Sequence, residues 1–457
     1  MTSGNKLALS LRPLKNIPPD VSRRKLALIA RLSSNLARPD NVPPSSPCCR
    51  IMNNSPPILA TIIVSSCGRR DHLERCLLSF SNQQMGEGET FEVIVADDGS
   101  KDGTHEMIQQ LAARMPFDLS FVTQTNQGFR KCKIVNKALH TARSNYILLT
   151  DGDCIFPPDH VQKQISQRQQ ETAWVSDCIR LEQTVSETIT RNAVIDGSWL
   201  NSVPAHLPGF LQIRYMKDRI YEFLNHNEKP KLIGNNVAVW LQDLTNINGM
   251  DEAFKGWGCE DDDLGIRLRA SGIKLKTNLK QTFGYHLWHP VDATTPASWR
   301  EGQNIRYFQR DLVLAKCLRG LVKRDLEHLN YRIHASSRHQ ELAALLKQSF
   351  TRKSPNHIDI EIRLGNCHTQ ENSDAEKTIE VWHADEVPQR KSNSPHLALI
   401  LPNCETKSIS SNLKPEKSVE GMPFTVERQL SWLVNQISEA ILGSNSVASP
   451  ANLRIAA

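Results

Sequence analysis

Two apolar runs that each end in a pair of carboxylates constrain this chain more than any other feature. Phe91–Ala96 runs into Asp97-Asp98-Gly99-Ser100, and Tyr146–Thr150 runs into Asp151-Gly152-Asp153. A third run, Ile58–Ser65, is continuously apolar, as a strand buried on both faces must be. Between them lie stretches with helical spacing: Asp71 to Asn82 (apolar at Leu73, Cys76, Leu77 and Phe80), Thr104–Met115 and Lys131–Arg143. Leu119–Thr123 reads as a further strand. Strand and helix alternating at this interval imply βαβ units and an α/β fold with a mostly parallel central sheet. Ligands of such sheets bind beyond the carboxyl ends of the strands, where both acid pairs fall.

Length and charge narrow the class. The chain has 457 residues, a formal charge of +6 and 39% hydrophobic content, enough for one large domain or two modest ones. The charge is mild and dispersed, so no nucleic-acid partner is expected. No apolar run approaches the roughly 20 residues of a membrane span. Leu26–Ile29 is cut short by Arg31, which argues against a secretory signal. Eleven cysteines without a C-x-x-C pair read as thiols of a reducing compartment. The expectation is a cytoplasmic protein, with contact at the inner membrane face as an alternative.

Four regions are expected: a weakly structured segment over 1–55, a catalytic domain over 56–300, a helical extension over 301–350, and a poorly structured region over 351–457. Cys48-Cys49 reads as an incidental pair in the first of these, and Met52 is an alternative start. In the extension, Lys316, Arg319, Lys323 and Arg324 alternate with Leu314, Leu318 and Leu321. A helix packed on the main domain is the plainer reading, and docking of 303–349 on a membrane or another subunit the sharper one. In the last region only a strand pair, Ile358–Leu364 with Thr378–Trp382, is expected.

The acids carry the chemistry. Asp151 and Asp153, one residue apart at a strand end, can reach one divalent cation, and oxygen ligands suit Mg²⁺ or Mn²⁺. An ordinary Asp-Gly-Asp turn is the competing reading. Asp97 and Asp98 offer acceptors to a base or ribose, or else build a turn. Gly256-Trp257-Gly258-Cys259-Glu260-Asp261-Asp262-Asp263 is the most specific feature. Four adjacent carboxylates repel, and the helix N-terminus that follows softens the repulsion. One of Glu260 and Asp261 can then take a proton from a hydroxyl, and Trp257 offers a face for a sugar. His286 and His289 are candidate third ligands for the cation. Arg130, Lys131 and Lys133 open a helix after Gly128, a natural anion site.

In this order the motifs resemble glycosyltransferase family 2, over about residues 58–292. The Gly256–Asp263 block resembles the motif of galactosyltransferases and chondroitin polymerases. The resemblance implies a GT-A fold and an inverting transfer from a nucleotide-diphosphate sugar, with a UDP-sugar expected, to a glycan or other hydroxyl acceptor. Such transfers belong to polysaccharide or glycoconjugate assembly. It implies that Ser65, Arg69, Asp97 and Asp98 hold the nucleoside and that Arg130 serves the base or phosphate. Asp153 would bind Mn²⁺ or Mg²⁺ with Asp151 in support. Asp261 would be the base, and Glu260 and Trp257 would contact sugar. His286 would be the metal histidine, with His289 the second choice. A nucleotidyltransferase would need a Gly-rich loop after the first strand, which Cys67-Gly68-Arg69-Arg70 does not supply. A catalytically inactive sugar- or nucleotide-binding module is the alternative of a different class.

Overall fold

A computed structural model describes residues 56–443, apart from 225, 227–228, 292–294, 351–356, 368–374, 384–385, 387–395 and 402–425. The readings made for residues 1–55, including Cys48-Cys49 and Met52, lie outside the described residues.

The winding begins as the periodicity dictates: β1 (Ile58–Ser66), α1 (Arg70–Ser81), β2 (Thr90–Asp97), α2 (Thr104–Ala112), β3 (Asp118–Thr123), α3 (Lys131–Leu139) and β4 (Tyr146–Asp151). These four strands are parallel neighbours in the order β3-β2-β1-β4. Alternation along β1 splits the core between the two faces. Ile62 and Val64 pack toward Leu73, Leu77 and Ile108 of α1 and α2. Ile63 packs with Ile134 and Val135 of α3. Ile62, Ile63 and Val64 are at most 1% exposed, and burial of each such side chain contributes about 1.5–3 kcal/mol.

After β4 come β5 (Cys154–Ile155), α4 (His160–Ser166), β6 (Thr172–Val175), β7 (Cys178–Arg180), α5 (Gln183–Thr188), α6 (Arg191–Ile195) and α7 (Leu207–Phe223). Then follow β8 (Asn236–Trp240), α8 (Leu241–Asn246), α9 (Glu260–Ala270), β9 (Lys274–Thr277) and β10 (Gly284–His286). β8, β6 and β9 extend the main sheet to β3-β2-β1-β4-β8-β6-β9, with β8 antiparallel to β4 and β6. A small sheet, β5-β10-β7, stands beside the end of β4. This is the mostly parallel, helix-flanked α/β sheet expected.

The segment 301–350 differs from the helix expected there. It holds α10 (Ile305–Phe308), β11 (Tyr331–Ala335) and α11 (Gln340–Ser349), with no regular helix over 311–325. Leu314 and Leu318 are buried all the same. The backbone there bonds to Asn248, which donates through Nδ2 to Cys317 O (2.8 Å) and Val322 O (2.7 Å) and accepts from Val322 N at Oδ1 (2.8 Å). A side chain at Gly320 would strike the Asn248 carbonyl, 1.7 Å from an added Cβ.

Residues beyond 351 also depart from expectation. The expected strand pair is present as β12 (Ile360–Leu364) and β13 (Lys377–Trp382), but it belongs to a parallel sheet, β11-β12-β13-β14, completed by β14 (Leu397–Ile400). Its apolar face packs on α11 and α12 (Val426–Leu442), burying Leu346, Ile362, Val381, Leu433 and Ile437. Short strands split by polar stretches hid this core from a reading by periodicity.

Candidate active site

The carboxyl ends of β1 and β4 bring the first acids together. Ser65 and Asp151 are register partners across the two strands, and Ser65 Oγ donates to Asp151 Oδ1 at 2.7 Å. Arg69, in the turn before α1, donates from Nη1 to Asp153 Oδ2 at 3.0 Å. In this structure Ser65 and Arg69, expected at the nucleoside, thus contact the Asp151-Gly152-Asp153 turn.

Asp97 and Asp98 are buried in the turn after β2. Asp97 Oδ2 accepts from the Gly99 and Ser100 amides, each at 3.0 Å, and from Thr123 Oγ1 at 2.9 Å, and Ser100 Oγ donates to its other oxygen. Asp98 accepts from Gln124 Nε2 at 2.7 Å and from the Arg130 amide. These bonds are those of a turn builder. Gly99 is forced, with φ +83° and an added Cβ 2.4 Å from Asn126 N. The Arg130 guanidinium is tied to the neighbouring loop, through Gln127 Oε1 at 2.7 Å and Thr125 O.

The small sheet delivers the histidines. His286, last in β10, pairs with Cys154 next to Asp153. His286 Nε2 lies 3.4 Å from Asp153 Oδ1, and His289 Nε2 lies 3.2 Å from Asp153 Oδ2. Both histidines therefore reach the same carboxylate, and ligand atoms of the three residues lie within 4.8 Å of one another. His289 Nδ1 faces Pro290 O at 2.7 Å. With a proton on Nδ1 for that bond, Nε2 needs a second proton or a cation between itself and Asp153, and the bond to Asp153 raises the His289 pKa accordingly. One carboxylate with two imidazoles is a donor set that suits a divalent ion. Burial works against the Asp153 charge, but His289, His286 and Arg69 outweigh it and hold the carboxyl well below the ordinary range.

The four acids of α9 separate by direction. Asp262 turns outward to Lys231 Nζ at 3.1 Å. Asp263 turns inward, to Arg267 Nε at 2.6 Å and Arg310 Nη2 at 2.8 Å. Glu260 is buried and Asp261 half-buried, both on the side of Lys131. Asp261 Oδ2 accepts from the Gly234 amide at 2.9 Å, and its Oδ1 lies 3.8 Å from Lys131 Nζ. That ammonium is 2.9 Å from Asp151 Oδ1. Burial disfavours the Lys131 charge, yet Asp151, Asp261 and Glu260 hold its pKa well above the ordinary value. Burial, then repulsion from Asp261, pushes Glu260 up to about 7, and burial also raises Asp261. Trp257 is part-exposed, on a loop braced by Asn304 Nδ2 donating to Gly258 O at 2.8 Å.

The structure therefore gathers Ser65, Arg69, Asp151, Asp153, His286, Glu260 and Asp261 into one connected cluster. Sequence reasoning placed Lys131 only in an anion site and missed Arg310 and Asn304, which brace α9 and its approach loop from a segment more than 40 residues away. A lone basic residue on a polar helix start carries no signal of such a bridge.

The site thus combines a mostly parallel α/β domain, a carboxylate-imidazole cluster at a strand end and an acid pair at a helix start. Residues 61–231 match glycosyl transferase family 2, and residues 215–289 match the N-terminal domain of galactosyltransferase. Through this region the chain is similar to glycosyltransferase family 2. It is 26% identical over 261 residues to the Uncharacterized glycosyltransferase YfnE of Bacillus subtilis (strain 168), covering 50% of this chain and 65% of that one. It is 25% identical over 249 residues to the chondroitin synthase of Escherichia coli, covering 50% and 34%. The chain thus spans less than two thirds of the length of either relative. A mannosyltransferase from Pyrobaculum calidifontis in complex with GDP-Man and Mn²⁺ superposes with a TM-score of 0.36 at 17% identity, over 55% of this chain and 61% of that one.

Among the described residues no helix is long and apolar enough to cross a membrane. The amphipathic helix invoked for docking through 303–349 is absent over 311–325.

Proposed function

We propose that the chain is an inverting, metal-dependent glycosyltransferase that moves a sugar from a nucleotide-diphosphate donor, a UDP-sugar by preference, to a hydroxyl of a glycan or other acceptor. One observation supports the reading: Lys131 joins the Asp151–Asp153 turn to Asp261, so the carboxylate-imidazole cluster and the α9 acids stand side by side.

Asp153, His286 and His289 are the residues that would hold Mn²⁺ or Mg²⁺, with Asp151 beside them. Such an ion supplies Lewis-acid stabilisation of the departing diphosphate. Asp261 is oriented by the Gly234 amide, and its Oδ1 forms no hydrogen bond. That oxygen takes the proton of the acceptor hydroxyl as the hydroxyl attacks the anomeric carbon. The bond to the diphosphate breaks on the opposite face, so the configuration inverts. Lys131 places its charge between Asp151 and Asp261. Arg69 and Arg130 lie on the donor side, where their charge complements phosphate. Glu260 and Trp257 contact sugar, and Asp97 and Asp98 shape the nucleoside wall through the turn they build.

Calorimetry of UDP, GDP and dTDP with and without Mn²⁺ tests the donor half. Metal-dependent binding of one nucleotide, lost in Asp153→Asn, is expected. Binding indifferent to metal and to Asp153 would remove the basis for the reading. An inactive binding module would bind the same nucleotide yet turn over no donor.

A further inference from the structure

α7 is mounted with its apolar face outward. Phe210, Ile213, Met216, Ile220 and Phe223, with Leu224 just beyond the helix end, are 56–86% exposed. They recur at helical spacing, so they form one stripe about 20 Å long. The inward face mixes Leu211 and Tyr215, packed on the core, with polar anchors. Arg214 bonds Asp177, Asp218 is buried, and Glu222 Oε1 accepts from Thr277 N at 2.6 Å. Two phenylalanines, two isoleucines and a methionine exposed on one helix form a contiguous apolar patch of the kind that marks an interaction site.

The stripe is continuous with a cavity beside the catalytic cleft. The cavity encloses about 470 Å³, and Ile179, Leu207, Phe210, Leu211, Ile233 and Asn235 line it. Phe210 belongs to both. Asn235 follows Gly234, whose amide holds Asp261. Cys178, whose Sγ lies 3.7 Å from Asn235 O, and Arg180 also line it and pair in register with Gly284 and His286 of β10. The cavity therefore lies beside Gly234, whose amide holds Asp261, and beside the strand that pairs with β10. Asn235, whose Nδ2 lies 3.4 Å from Asp177 Oδ1, gives the cavity a polar end together with Asp177 and Arg180, suited to hydroxyl groups.

We propose that this cavity and the α7 stripe are the acceptor subsite, and that the acceptor is an amphiphile: a hydroxyl-bearing head on an apolar aglycone. The inference rests on the transferase reading above, which requires a hydroxyl compound to reach Asp261. The head meets Asn235 near Asp261, and the aglycone passes Leu207 and Phe210 onto Ile213 and Ile220. A purely polar acceptor would leave the stripe with nothing to bury.

The test is calorimetry of the full chain with methyl, butyl and octyl β-D-glucopyranosides below micellar concentrations. UDP, GDP and dTDP with Mn²⁺ are titrated in parallel. Affinity is expected to rise with chain length, at most about fourfold per methylene. Phe210→Ser with Ile213→Ser should cut octyl glucoside affinity at least tenfold, and Val322→Ser, at an exposed apolar residue elsewhere, should not. Nucleotide binding with no dependence on chain length overturns the acceptor inference alone, whereas absence of nucleotide binding sinks the transferase reading as well. A dimer dispersed by Ile220→Glu in sedimentation would overturn the inference, because the stripe would then cover itself. Sedimentation with phosphatidylcholine-phosphatidylglycerol vesicles, lost in the double serine variant, would also overturn it, in favour of a bilayer as the partner.

Discussion

Lys131 Nζ lies 2.9 Å from Asp151 Oδ1, at the point where the first strand-end acid comes closest to the α9 acids. Lys131→Met would leave Asp151, Asp261 and Glu260 facing one another across a cleft without their shared cation. Breaking a buried pair on one side costs about 3 kcal/mol, somewhat less here because both carboxylates keep partial contact with water. Urea unfolding at neutral pH should show a loss of that order, and an unchanged midpoint would mean that Lys131 does not bind these acids together.

Asp261→Asn is nearly isosteric and can keep the contact to the Gly234 amide, but it cannot accept a proton. Donor binding should persist, and transfer should fall by about 10²–10⁴. Single-turnover assays with the best donor separate the two effects. Transfer that survives would move the base elsewhere, with Glu260 the nearest candidate.

Gly234 is a close-approach position. An added Cβ would lie 2.3 Å from Asp261 Oδ1. Gly234→Ala should therefore displace that carboxylate and lower kcat several-fold, with KM for the donor little changed. Equal activity in the variant would show that the position of Asp261 does not matter.

Glu260 gives a pH signature. Its folded pKa, about 7, lies above the ordinary 4.5. The folded state therefore holds this proton more tightly than the unfolded chain. The resulting stability is complete below about pH 4.5 and is lost as pH rises through 7. Relative to Glu260→Gln, the wild type should lose stability between pH 5 and 8, by an amount on the order of 3 kcal/mol at most. Urea midpoints across that range check the slope, and parallel curves for the two proteins would contradict it.

The two histidines share Asp153, so each should matter for metal. His286→Ala and His289→Ala are each expected to weaken Mn²⁺ binding at least tenfold, read by paramagnetic resonance of the free ion. Full affinity in one variant would assign the ligand role to the other histidine alone.

Much of this arrangement was legible in the chain. The βαβ winding followed from periodicity because Ile62, Ile63 and Val64 are buried on both faces of a parallel strand, which leaves a continuous apolar run. The end of β4 and the start of α9 were marked by acids too concentrated for ordinary surface. Both His286 and His289 were visible, but a linear sequence could not say that β10 pairs with β5 and so brings both to Asp153. The α7 stripe escaped notice because its amphipathic pattern reads the same whether the apolar face points in or out. Orientation is set by Arg214, Asp218 and Glu222, whose partners Asp177 and Thr277 are distant in sequence. The β11–β14 sheet was under-read for a related reason: parallel strands separated by long polar connections show no common period.

The most direct measurement is nucleotide release from a panel of UDP-, GDP- and dTDP-sugars, in Mn²⁺, in Mg²⁺ and in EDTA, for the wild type and Asp153→Asn, with octyl and methyl glucosides as acceptors. Release from one donor class, abolished by EDTA and by Asp153→Asn, is the expected result. Release that is equal in EDTA and in Asp153→Asn would contradict a metal-dependent transfer at this cleft.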